Sequence, residues 1–454
     1  MKDWQWLRAF ERYDSTHSDP RDFFKGGAHQ LSQELEARAR EDPVRFIGLA
    51  AQVPDDAHVY YFDALLRGVA ASEQEVNLEA TRALIERCYR LPGRPCGRWI
   101  AQPLRRHSDA PLPQELIDVL TWYAVHDPDP PEVSDDFSGD ISDEQRLEMQ
   151  GLNSVRGSIA YEIAAHIHRH EANVAPLDEA VESLVHDRSP AVRGMAIRAL
   201  TGLIRHRARR AVELFVVLAS HPDDRILAGR GAHEFLRFVG ARYFNSLRPV
   251  IERMVESENA AVRTRGAVQA ALAALGDTAA QPLAERCLAG DPALRLGVAR
   301  VSAANVRSSP RRCEAALIGL FDDPDPEVRK AGSEVFRELA DEDFANSEQI
   351  VDTFLTSAAF DADGAEALFL GLDLAHAPPP ALSLRACSAY LDADFAAGDA
   401  VGGSRALRDL GELAVRAYAD ADDRAGQNAA LDVIDRMLEL ETFRVNQALA
   451  DYER

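Results

Sequence analysis

The sequence predicts an all-α fold, an α-solenoid of stacked helical repeats wound as a right-handed superhelix. Three observations predict it: one short phrase recurs through the centre, each good copy carries helix-start chemistry, and no alternating strand pattern recurs between turn dipeptides. The phrase reads Asp187-Arg188-Ser189-Pro190-Ala191-Val192-Arg193 and again Asp323-Pro324-Asp325-Pro326-Glu327-Val328-Arg329. Weaker copies are Asn259-Ala260-Ala261-Val262-Arg263 and Asp291-Pro292-Ala293-Leu294-Arg295, and a degenerate one is Asn153-Ser154-Val155-Arg156. With Arg230 admitted as a worn copy, the arginines step by 32 to 37 residues, the length of two short helices and two turns. Self-similarity at that period marks a stacked-repeat architecture.

Each part of the phrase has a physical reason. Ser189 and Asp325 are N-cap residues, and Pro190 and Pro326 follow where a missing N–H is harmless and a fixed φ is already helical. Val192, Ala196, Ile197 and Leu200 recur at helical spacing and form one apolar face. The phrase resembles the HEAT and armadillo-like repeats. That resemblance implies an Asp–Arg ladder between neighbouring repeats, carried here by Asp187, Arg193, Asp323 and Arg329 with Arg263 and Arg295. Ser257 and Ala289 stand at the aspartate position in the third and fourth copies, which interrupts such a ladder.

The flanking elements follow from periodicity and stops. Residues 1–126 form an N-terminal helical region off the phrase, with helices at Gln30–Arg40, Pro43–Gln52, Val59–Ala70, Leu78–Tyr89 and Leu116–Val125. Two prolines and two glycines make 91–97 a turn. Residues 127–150 hold an acidic, proline-rich stretch whose composition buries little apolar surface and reads as an exposed, protease-sensitive loop. Gly151 opens the repeats, which run to about residue 340, and 341–454 are a C-terminal helical region. Within that region a helical stretch from Ser347 to Leu374 meets a proline break, and helices near Ser404–Ala419 and Asp423–Leu440 follow.

Composition narrows the function classes. The 454 residues carry a net charge of −23 with only three lysines, a field that opposes generic nucleic-acid binding. No run approaches the ~20 apolar residues of a membrane span. Five scattered cysteines form no CxxC pair, so neither a disulfide framework nor a zinc ribbon is supported, and packed thiols in a cytoplasm are expected. No P-loop, HExxH, GxSxG or EF-hand pattern occurs. No cofactor and no catalysis are expected.

Three clusters are candidates for function. His166 and His170 share a helix face compatible with a metal, His168 lying between them, but the pair would need distant ligands; a solvated helix end is the favoured reading. Arg205, Arg207, Arg209 and Arg210 form the densest basic run, able to bind an acidic patch on a partner or simply to join two helices and pair with nearby acids. Leu104-Arg105-Arg106-His107 is a smaller run. Trp4 and Trp6 are the better interface anchors among four tryptophans, Trp99 and Trp122 being assigned to the core.

A second resemblance spans most of the chain. Phe24-Lys25-Gly26-Gly27-Ala28-His29, Glu41-Asp42-Pro43-Val44-Arg45-Phe46, Trp99-Ile100-Ala101-Gln102-Pro103-Leu104, Gly151-Leu152-Asn153-Ser154-Val155-Arg156 and Leu431-Asp432-Val433-Ile434-Asp435-Arg436 together resemble the C-terminal, helical-repeat sensor half of large bacterial STAND-type ATP-binding proteins. The NTPase of that family is not in this sequence. The resemblance implies a detached sensor or scaffold in defence or signalling, with an NTPase subunit encoded nearby as one partner. The expectation is a protein-binding module that favours partners with basic patches. The alternative is an enzyme or ligand binder on a HEAT scaffold, like the DNA glycosylases or phycobilin lyases built on such repeats; the acidic charge opposes the first.

Overall fold

The computed structural model describes residues 1–14, 26–128, 142–339, 341–393, 410–439 and 445–452. Helices fill it, and among the described residues there is no strand. The chain is an all-α solenoid of helical repeats. It divides into two compact units, Met1–Val250 and Ile251–Arg454, a division that falls inside the array of phrases. Most of the acidic segment expected to be an exposed loop lies outside the described residues, as does the start of the helix expected from Ser404.

The first unit opens with helices α1 (Asp3–Arg12), which the sequence reading missed, α2 (Ala28–Glu41), which starts two residues before the expected Gln30, and α3 (Pro43–Ala50), α4 (Val59–Ala71) and α5 (Leu78–Tyr89), which start where expected. Asp42 accepts from the Arg45 amide ahead of Pro43, and Asn77 accepts from the Ala80 amide at the mouth of α5. A 3₁₀ helix (Gln102–His107) leads to α6 (Gln114–His126). Next come α7 (Asp143–Asn153), α8 (Val155–Arg169), α9 (Asp178–Val185), α10 (Pro190–Ala219), short α11 (Arg225–Ala228) and α12 (Arg230–Val239), and the division falls within α13 (Phe244–Val255). Gly151, where the repeats are expected to open, lies in the last turn of α7, a helix that Ser142 and Gln145 start with a capping box. Helix α8 packs along α10, and Gly202 makes this possible, because a Cβ there would strike the Ala164 carbonyl.

The second unit continues with α14 (Ala260–Gly276), α15 (Gln281–Leu288), α16 (Pro292–Asn305), α17 (Pro310–Leu320) and α18 (Pro326–Ser333). Short α19 (Asp341–Asn346), then α20 (Glu348–Leu355), α21 (Ala362–Leu374), α22 (Pro380–Asp392), α23 (Leu410–Ala419), α24 (Arg424–Glu439) and α25 (Val445–Tyr452) complete it. Asn259, Asp291 and Asp325 each cap a repeat helix through the side chain, as the phrase requires. Gly297 lets α16 close on α14, where a Cβ would lie 2.6 Å from the Thr264 carbonyl. Val192, Val262, Leu294 and Val328 are all buried at the equivalent position. Phe321, Phe336 and Phe354 pack together in the unit's core.

The phrase arginines show why the repeat tolerates substitution. Arg193, Arg263 and Arg329 each donate to the backbone carbonyl six residues back, on Asp187, Ser257 and Asp323, and so close the loop ahead of their own helix. The residue at that earlier position accepts from the amide two residues on, whether it is Asp187, Ser257 or Asp323. Ser257 therefore keeps the loop role and loses only the charge.

Rungs between repeats form in part. Arg156 takes Asp187 with two hydrogen bonds, and Arg295 does the same with Asp323. The expected interruption at Ala289 is bridged by the helix cap: Arg263 Nε lies 2.8 Å from Asp291 Oδ2, an ion contact without hydrogen-bond alignment. Arg230 is no copy of the phrase, since it opens α12 and pairs on the surface with Glu234.

Candidate functional site

The basic run falls at a bend inside α10, where Arg207 leaves helical geometry at φ −141° and ψ 54°. Arg210 pairs with Glu182, and Arg207 reaches Glu171 at 4.0 Å. Arg205 and Arg209 are exposed and have no ion pair among the described residues. Half of the run thus joins two helix segments and pairs locally, and half points a charge to solvent.

The tryptophans divide differently from expectation. Trp4 is 58% exposed, but Trp6 is only 2% exposed, packed against Phe10 and edge-on to Phe46 with ring centroids 5.8 Å apart. Trp6 belongs to the core because α1 lays that face on α3. Trp99 and Trp122 are half-buried rather than core.

The histidines do not gather. His166 is fully buried, which corrects its placement at a solvated end, whereas His168 is exposed. Burial, reinforced by nearby His107, pushes the His166 imidazole down to about 4, and neither ring nitrogen has a hydrogen-bond partner. Among the described residues no three His, Cys, Asp or Glu side chains are placed to hold a metal. All five cysteines are buried and unbridged.

The structure instead assembles an open cavity of about 420 Å³ from the turn carrying Arg98 and Trp99, the 3₁₀ segment, α7, α8 and α10. Arg98, Trp99, Gln102, Arg105, Asn153, Tyr161, Glu162 and Arg198 line it. Arg98 donates to Asn153 Oδ1 at 2.6 Å, Arg105 Nε to Glu162 Oε1 at 2.6 Å, and Arg198 pairs with Glu148 at 2.6 Å. Arg105 and Arg198 both lie 5.3 Å from the Tyr161 ring centre, and Arg98 lies 4.9 Å from that of Trp99. Glu162 is 2% exposed, and its Oε2 has no partner. Burial pushes its carboxyl up to about 7 against the pull of Arg105. Sequence reading quoted Trp99, Gln102, Arg105, Leu152 and Asn153 within motifs and did not group them as a site. The rest is spread over a hundred residues, and only the packing of α8 on α10 brings it together.

No family model and no curated protein matches the chain. Among solved structures it is similar to yeast importin-β, Kap95p, in a structure with RanGDP, at 12% identity and TM-score 0.46, covering 99% of this chain and 63% of that one. Similarity also extends to Pds5 in complex with Scc1, at 10% identity and TM-score 0.35 over 93% of this chain and 74% of that one. The karyopherin Kap121p, bound to the C-terminus of the phosphatase Cdc14p, matches at 11% identity and TM-score 0.30, covering 95% and 67%. This chain spans less than two thirds of the Kap95p chain. At these scores the likeness carries no functional argument, and the fold rests on the chain's own helices. No described helix is long and apolar enough to cross a membrane.

Proposed function

We propose that the chain is a non-catalytic protein-binding scaffold or sensor module, the recognition half of a STAND-type defence or signalling system acting in the cytoplasm with a separately encoded NTPase subunit. The observation that carries the binding role is the inward use of the repeat signature. Arg156, Arg193, Arg263, Arg295 and Arg329 are spent on loops and neighbouring repeats. Trp4, Phe238, Arg205 and Arg209, by contrast, are exposed.

A net −23 steers partners with basic patches, and Arg205 with Arg209 offers a second, acidic-seeking contact. Trp4 is the anchor of choice at an interface, since large aromatics dominate binding energy. The test is capture from the native host at low salt with mass spectrometry, comparing the wild type with Arg205→Glu/Arg209→Glu and with Trp4→Ala. A basic protein or an NTPase recovered with the wild type and reduced by a variant supports the reading. Recovery of DNA with no protein, or ATP hydrolysis by the purified chain alone, overturns it.

A further inference from the structure

We infer that the cavity lined by Arg98, Arg105 and Arg198 is a binding site for a small phosphate-bearing molecule, independent of the protein-binding surface. Three guanidiniums line it against two carboxylates, Glu162 on Arg105 and Glu148 on Arg198, in a chain whose net charge is −23. These arginines link neighbouring elements, yet Arg98 is exposed and Arg105 is 53% exposed on its side chain, so the excess positive charge stays open to solvent.

Each guanidinium is already aimed. Tyr161 supports Arg105 and Arg198, Trp99 supports Arg98, and each arginine makes one anchoring polar contact. A guanidinium has five N–H donors in a planar fork, so one anchor leaves others to meet oxygen atoms. Glu162 is the second observation. A carboxylate this buried is costly to keep, and its Oε2 remains unpartnered. What it achieves is to hold Arg105 through Nε and leave its terminal N–H groups outside that bond.

Three forks suit an anion with three or more oxygens, a phosphomonoester or a diphosphate, better than a carboxylate with two. About 420 Å³ lies within the range of small-molecule pockets and leaves room for an attached body beside Trp99.

The experiment is calorimetric titration of the full chain at constant ionic strength with inorganic phosphate, pyrophosphate and ribose 5-phosphate. The expected result is saturable one-to-one binding of pyrophosphate or the sugar phosphate. Arg105→Gln and Arg198→Gln should each weaken it at least tenfold, and Arg205→Gln/Arg209→Gln should leave it unchanged. Glu162→Gln keeps a hydrogen bond to Arg105 and removes the opposing charge, so binding should be equal or tighter in a variant with unaltered circular dichroism. Absence of saturation with all three probes up to about 10 mM, well above typical specific affinities, overturns the assignment. So does an equal loss in the Arg205/Arg209 variant, which would mark diffuse anion attraction, or weaker binding by Glu162→Gln.

Discussion

At the scale of the residue, α8 carries two buried groups one turn apart with opposite acid–base behaviour. His166 titrates near 4 when folded and near 6.5 when unfolded, because burial disfavours the charged ring. Between those values only the unfolded chain binds the proton, so this group removes stability as pH falls from 6.5 toward 4, by about 3 kcal/mol at most. Glu162 titrates near 7 when folded and near 4.5 when unfolded, again because of burial. There the folded chain binds the extra proton, and stability is lost as pH rises from 4.5 to 7. The two slopes oppose each other between 4.5 and 6.5, so single variants separate them. His166→Leu also removes two unsatisfied ring nitrogens. It should stabilise the protein at pH 7.5 and more so at pH 5, as measured by urea midpoints; a variant less stable at both pH values would contradict the account. Trp6→Ala should cost about 3–5 kcal/mol, the usual toll for emptying a buried aromatic site. Trp4→Ala should fall within about 0.5 kcal/mol, because its ring is already in water.

At the scale of the element, the rungs differ in burial and should differ in worth. Asp323 and Arg295 form a largely buried pair, with Asp323 held below the usual carboxylate range: burial opposes ionisation, but Arg295, the Asp325 amide and Arg329 outweigh it. Asp323→Ala leaves Arg295 buried without a counter-ion and should cost about 3–5 kcal/mol. Asp291→Ala removes a half-exposed contact and one cap bond, and about 1–2 kcal/mol is expected from the cap alone. Equal losses in thermal melts of the two variants would refute the ranking. Helix starts were legible because caps are local: Asn77, Ser189, Asp291 and Asp325 each act on an amide two or three residues away. Burial of Trp6 was not legible, since nothing near it in sequence announces Phe46, forty residues on. The cavity was hidden for the same reason. Arg105 stood out only as part of a short basic run and Arg98 and Arg198 not at all, and the stacking of α8 against α10 brings Arg198 to the tyrosine that Arg105 also meets.

At the scale of the whole molecule, each compact unit has its own apolar interior. In the second, buried residues from Ala303 to Ala448 form one cluster. A fragment beginning at Asn259, the cap of α14, should therefore give a helical circular dichroism spectrum and a cooperative melt. A fragment that melts without cooperativity would show that this interior depends on residues before Asn259. The charge of −23 belongs to this scale too. Partner association should slow steeply with added salt, because steering acts over a Debye length of about 10 Å at 0.1 M.

The grip of Arg193, Arg263 and Arg329 on a carbonyl six residues back has an evolutionary reading. A carbonyl is supplied by every amino acid, so the grip survives any mutation of the residue it holds. A duplicated unit is thus born with its hinge already latched and can drift in outward chemistry before any neighbour has adapted to it. An array latched this way accepts a different residue at that position copy by copy, as Ser257 does where Asp187 and Asp323 stand in other copies.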